Sequence, residues 1–130
     1  MLITPAQKKH QVLVAEDDDI SRFLITSMLE KEGYDVLAIN NGALAVSMFK
    51  QNPEVSVVFM DIKMPVMNGL EATRLIREMS PETPVIAATA FAIWSDEAQL
   101  AISGFNHLIT KPFDAQSLTS VLKKLGLKSL

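Results

Sequence analysis

No cysteine occurs in the 130 residues, and histidine is confined to two positions, tryptophan and tyrosine to one each. The first absence removes disulfides, thiol catalysis and thiolate metal sites, and fits a reducing compartment. No run rich in Lys or Arg is present, and 12 basic residues stand against 15 acidic ones for a net charge of -3. That balance argues against a protein whose main partner is nucleic acid. No apolar run is long enough to span a bilayer. Met1 to Gln11 lacks the apolar centre of a signal peptide. What remains is one cytoplasmic domain, large enough to bury its own core, for which no direct nucleic-acid or membrane contact is expected.

What is present centres on Val55-Ser56-Val57-Val58-Phe59-Met60-Asp61-Ile62-Lys63-Met64-Pro65. Its first half is a short apolar run with β-branched residues, which predicts a strand buried on both faces. Asp61 then stands at the carboxyl end of that strand. A carboxylate there costs free energy unless it is paired or bound to a metal. Apolar runs predict four further strands, at 11–15, 34–39, 84–88 and 106–109. Helical spacing joins them: Ile20, Phe23, Leu24 and Met28 up to Gly33; Ala45, Val46 and Phe49; Ala72, Leu75, Ile76 and Met79. A fourth helix begins near Ser95-Asp96 and carries Ala98, Ala101 and Ile102. A fifth is capped by Asp114, with Leu118, Val121, Leu122 and Leu125 inward. Five strand–helix units in strict alternation predict an α/β doubly wound fold: a five-stranded parallel sheet flanked by five helices. Residues 1–10 read as a tail or linker and 128–130 as a C-terminal tail.

In such a sheet the carboxyl ends share one edge, so the residues just past each strand converge. They are Glu16, Asp17 and Asp18 past the first strand, Asp61 past the third, Thr89 past the fourth and Lys111 past the fifth. Singly, each has an ordinary role as helix cap, strand-end hydroxyl or solvated charge. Together they describe a site. Two carboxylates about 5 Å apart repel by roughly 3 kcal/mol at an effective dielectric near 20. A divalent cation relieves that repulsion, and an all-oxygen donor set suits Mg²⁺ better than zinc. Asp61 then becomes a carboxylate nucleophile, with Thr89 and Lys111 placed to hold the oxygens of a phosphoryl group.

Glu16-Asp17, the run Met60 to Gly69, Thr89-Ala90 and Lys111-Pro112-Phe113 resemble the receiver domain of two-component response regulators and hybrid histidine kinases. The resemblance covers residues 11–127. It implies a CheY-like, flavodoxin-like strand order of 2-1-3-4-5. It also implies that Asp61 accepts phosphate from a histidine kinase or histidine phosphotransfer protein. Asp17, Asp61 and the carbonyl of Lys63 would hold Mg²⁺, with Glu16 acting through water, while Thr89 and Lys111 contact the phosphoryl group. The Lys111-Pro112 bond would be cis. Lys63 and Phe91 would flank the phosphate. A downstream effector would read the face built from the fourth helix, fifth strand and fifth helix, where Trp94, Phe105 and Leu108 fall. The domain would catalyse only its own phosphorylation and dephosphorylation.

Two residues depart from the pattern. Leu108 stands where many receivers carry an aromatic switch residue, and Asp18 stands where Asn is frequent. A haloacid-dehalogenase-type phosphatase would need a second acid where Lys63 stands. A flavodoxin-like cofactor binder would need a phosphate loop where Glu-Asp-Asp-Asp stands. No output domain is expected after residue 127, so the expectation is a stand-alone regulator or a segment of a hybrid kinase. The latter is favoured by the wording of residues 64–74.

Overall fold

Five strands, β1 (Gln11–Ala15), β2 (Asp35–Ile39), β3 (Val57–Met60), β4 (Val85–Thr89) and β5 (His107–Thr110), form one parallel sheet in the order β2-β1-β3-β4-β5. The computed structural model describes residues 10–90 and 101–126. β3 lies at the centre because all four of its side chains are apolar and buried. Its alternation divides the core. Val58 and Met60 join Leu13, Phe49 and Ile76 under α2 (Gly42–Gln51) and α3 (Gly69–Met79). Val57 and Phe59 join Val12, Leu29 and Leu118 under α1 (Asp19–Lys31) and α4 (Ala115–Lys124). β2, at an edge, tolerates the exposed Asp35 and Ala38.

The helix starts follow directly from residue type. Asp18, Asn41, Asn68 and Asp114 each accept a hydrogen bond from the backbone N–H three residues on. Each such cap contributes about 1 kcal/mol. α1 gives way to Gly33 and α4 to Gly126, both with positive φ. Of the helix expected from Ser95-Asp96, Ala101 and Ile102 are described, and both are helical. The Ser95-Asp96 cap, Phe91 and Trp94 lie outside the described residues. The Lys111-Pro112 bond is cis.

Three side-chain placements differ from the sequence reading. In α1 the inward residues are Ile25 and Leu29, whereas Ile20, Phe23 and Leu24 are 72%, 70% and 49% exposed and Met28 is half-buried. Two apolar stripes exist on this helix, and the sheet takes the later one. Met79, grouped by spacing on one face of α3 with Ala72, Leu75 and Ile76, is exposed, and Thr73 is buried with Ala72 and Ile76. Phe105, expected in or beside an effector-reading face, is buried in the core with Val85 and Ile76. Leu108 packs half-buried against the same cluster.

One network fixes the chain at the amino edge of the sheet, and a pair of glycines fixes a loop at the carboxyl edge. The Arg77 guanidinium donates to the carbonyls of Gly104 (2.8 Å) and Thr83 and to Asn106 Oδ1 (2.6 Å). It thereby ties the α3–β4 loop to the chain entering β5. The loop that follows β3 is clamped by close backbone approach at two glycines. Gly42 N–H donates to the Met67 carbonyl (3.0 Å) and Gly69 N–H to the Ile62 carbonyl (2.8 Å). A Cβ on Gly69 would lie 1.9 Å from the Asp61 carbonyl oxygen, which is backbone and cannot swing aside. Gly69→Ala is therefore expected to cost about 3 kcal/mol or more, because the loop bearing Asp61 must shift. Urea unfolding would show this as a lowered midpoint at an unchanged slope.

Candidate functional site

Asp61 leaves β3 with its N–H bonded to the Ala15 carbonyl at 2.9 Å, which sets the third strand end beside the first. Its carboxylate is buried, and the nearby backbone N–H groups of Ile62 and Lys63 favour its charged form. Glu16 is buried just past β1. Its N–H is held by the Ile39 carbonyl at 3.0 Å, and its Oε2 accepts from the Asp18 N–H at 3.1 Å. Asp17 is exposed beside them. One oxygen from each of Glu16, Asp17 and Asp61 falls within a 4.8 Å group. Lys111 Nζ reaches over from β5, donating to Glu16 Oε1 and, at 3.2 Å, to Asp61 Oδ2. Thr89 is fully buried at the end of β4. Lys63 is exposed beside Asp17, Met64, Pro65 and Asn68, which line a shallow opening next to the carboxylates.

Two solved structures share this architecture. The receiver domain of a sensor histidine kinase from Pseudomonas aeruginosa, with a magnesium ion coordinated in its active-site cleft, is 30% identical. It has a TM-score of 0.83, with 92% of this chain and 99% of that one covered. A response regulator from Thermotoga maritima, in complex with Mg²⁺ and BeF, is 28% identical, with a TM-score of 0.80 over 89% of this chain and 98% of that one. The family model for the response regulator receiver domain matches residues 12–123. The chain belongs to that family. It is a signalling domain of two-component phosphorelays rather than an enzyme of the usual kind. A hybrid signal transduction histidine kinase from Dictyostelium discoideum is 35% identical over 120 residues. That match covers 86% of this chain, which spans only 7% of the kinase's own length.

The receiver's acidic pocket has the donor chemistry of a Mg²⁺ site, all oxygen and mostly carboxylate. Clustered carboxylates of this kind suit a hard divalent cation, which takes oxygen ligands. Among the described residues no helix is long and apolar enough to cross a membrane. The expected convergence of Glu16, Asp17, Asp61 and Lys111 is present. Asp18 is not among the converging carboxylates, because it caps α1.

Two contributors carry no sequence signal that could have marked them. Arg22 Nη1 donates to the Glu16 carbonyl at 3.0 Å, with Nη2 on Asp19 Oδ1 at 2.6 Å. Val66 has φ 68, and Met67 N–H donates to the Pro65 carbonyl across it at 2.7 Å. That is a γ-turn of the rare positive-φ kind, strained for a β-branched residue and placed in the loop after Asp61.

Burial pushes the Asp61 carboxyl up to about 6, with the charge of Asp17 adding to the effect. Burial likewise pulls the Lys111 ammonium down to about 8. The sign for Asp61 is opposite to that of a stabilising ion pair. Its folded value lies above that of an ordinary aspartate, so folding favours the protonated form. Stability is lost as pH rises from about 4 through about 6. In metal-free protein, Asp61→Asn should therefore stabilise the fold by about 2 kcal/mol at pH 7.5, with the gain fading toward pH 4. Thermal melts across that range would detect it, and a gain independent of pH would contradict the assignment.

Proposed function

We propose that residues 11–127 form a phospho-acceptor unit in which Asp61 takes a phosphoryl group from a phosphohistidine on a histidine kinase or histidine phosphotransfer protein. The observation that carries the reading is the convergence of three carboxylates and one ammonium at the carboxyl edge, with two backbone N–H groups near the Asp61 carboxylate. In the transfer an Asp61 carboxylate oxygen attacks phosphorus in line. The P–N bond breaks, the imidazole leaves with the bonding pair, and an acyl phosphate forms. The nearby Ile62 and Lys63 N–H groups favour the charged carboxylate, which is the nucleophilic form. Lys111 exchanges its contact with Asp61 for one with a phosphoryl oxygen, and the Thr89 hydroxyl donates to another. Asp17, Asp61 and the Lys63 carbonyl would hold Mg²⁺, with Glu16 acting through water, and the bound ion would neutralise charge on the phosphoryl oxygens. The unit then catalyses its own dephosphorylation through water, and works in the cytoplasm either alone or as the receiver segment of a hybrid kinase.

The donor must bring its phosphohistidine to the mouth of this pocket, and the surface bordering that mouth is apolar. A groove of about 330 Å³ lined by Leu24, Met28, Pro112 and Phe113 runs up to Lys111. Ile20 and Phe23 extend it along the exposed side of α1. Exposed apolar surface of this kind costs solubility unless a partner covers it. The downstream effector reads the other side, the face of β5 and α4. Ahead of β5 in the chain Ile102 is exposed, whereas Phe105 is withdrawn into the core.

Acetyl phosphate with Mg²⁺ should add one phosphoryl group to the chain by intact mass, and Asp61→Asn should add none while keeping its fold. Equal labelling of the mutant would falsify the assignment. Phe23→Asp should slow transfer from a phosphorylated histidine protein by about tenfold, the size of losing one central apolar anchor. Its acetyl phosphate rate should match wild type, since the small donor needs no docking surface. Equal slowing with both donors would place Phe23 in the fold instead.

A further inference from the structure

We infer that Arg22 is a positioning residue for the cation-binding loop, acting by fixing the peptide plane from which Asp17 departs. The inference rests on the reading of Asp17 as a cation ligand given above. The Glu16 carbonyl and the Asp17 N–H belong to one planar unit, so whatever holds the carbonyl also sets the direction of the next Cα. Arg22 Nη1 donates to that carbonyl at 3.0 Å. On its other side the Glu16 residue is already fixed, with its N–H on the Ile39 carbonyl and its carboxylate between Lys111 and the Asp18 N–H. The plane after Glu16 is what remains to be set. Asp17 itself is exposed, so packing does not hold its side chain in place.

The guanidinium is in turn steadied. Nη2 bonds Asp19 Oδ1 at 2.6 Å, and the Arg22 side chain is only 24% exposed. Its partners stand three and six residues earlier, Asp19 in the first turn of α1 and Glu16 in the loop before it, so the arginine staples the acidic loop onto the start of α1. Arginine suits this because its planar fork offers donors in two directions from a rigid group.

A second role is open to Arg22, that of a nearby positive charge, and the two roles have opposite signs. Acting through space alone, a guanidinium beside a cation site repels the cation, so removing it would tighten Mg²⁺ binding. Acting through the Glu16 carbonyl, it holds a ligand in place, so removing it would weaken binding. The experiment is a calorimetric Mg²⁺ titration of the unphosphorylated chain at fixed ionic strength, for wild type, Arg22→Ala and Arg22→Gln, with thermal melts as the check on folding. Both neutral variants should bind Mg²⁺ about tenfold more weakly, the usual loss when a group that orients a metal ligand is removed. Acetyl phosphate labelling should slow at low Mg²⁺ and return to within about twofold of wild type at saturating Mg²⁺, since the chemistry at Asp61 is untouched. If Arg22→Ala does not melt cooperatively, Arg22→Gln carries the test.

Unchanged or tighter Mg²⁺ binding in the folded neutral variants would overturn the inference. So would a labelling deficit that persists at saturating Mg²⁺. A wild-type chain that binds Mg²⁺ but takes no phosphate would sink the phospho-acceptor reading alone, because the titration measures Arg22 independently of it.

Discussion

A carboxylate can sit at the carboxyl end of a fully buried strand only if positive charge stands beside it. Here Lys111 supplies that charge, bridging Glu16 and Asp61 from the far edge of the sheet. The constraint links strands that are distant in sequence. β1 and β3 must be neighbours so that Glu16 and Asp61 face one pocket, and β5 must end at a height from which a lysine reaches both. Even so paired, the cluster holds more negative than positive charge, and Asp61 is held in the form that folding least favours. The protein keeps a destabilised group where a cation and a phosphoryl group would relieve it. Strain in the Pro65-Val66-Met67 turn and tight glycine contacts on either side of that loop belong to the same economy, in which local cost is accepted to fix the position of Asp61.

The sheet and the strand-end residues were legible in the sequence because their signals are independent of tertiary detail. A β-branched run such as Val57-Val58-Phe59 predicts a buried strand wherever it lies. Charged residues that interrupt such runs mark the edge at once. α1 was not legible in the same way. Ile20, Phe23 and Leu24 make as good a helical stripe as Ile25 and Leu29, and periodicity alone does not say which one meets the sheet. The choice falls to packing, since Ile25 and Leu29 meet Val12, Val14 and Ile109. Phe105 was misplaced for a related reason. Its place just before the fifth strand put it in or beside the effector face, yet it is buried in one cluster with Ile76 and Val85.

Arg22 and Arg77 were invisible for a different reason. Each acts mainly on backbone carbonyls, at Glu16 in one case and at Gly104 and Thr83 in the other. Every residue has a carbonyl, so the partner leaves no letter in the sequence. A charged side chain whose partners are carbonyls is recognised only once the chain has been folded around it. The two arginines act at opposite edges of the sheet. One anchors the acidic loop past β1, and the other anchors the approach to β5, which delivers Lys111.

The direction of the elements has a further consequence for how such a unit is carried. All five strands run toward the edge that holds Asp61, and each helix returns the chain to the opposite edge. β1 therefore begins, and α4 ends, at the bottom of the sheet. At that end His10 is fastened by its ring Nδ1 to Ser56 Oγ at 3.0 Å and by its carbonyl to the Asp35 N–H at 2.9 Å. The described chain therefore enters and leaves the sheet at the edge opposite the pocket, and the reactive edge is reached from the other end, like a socket wired from behind.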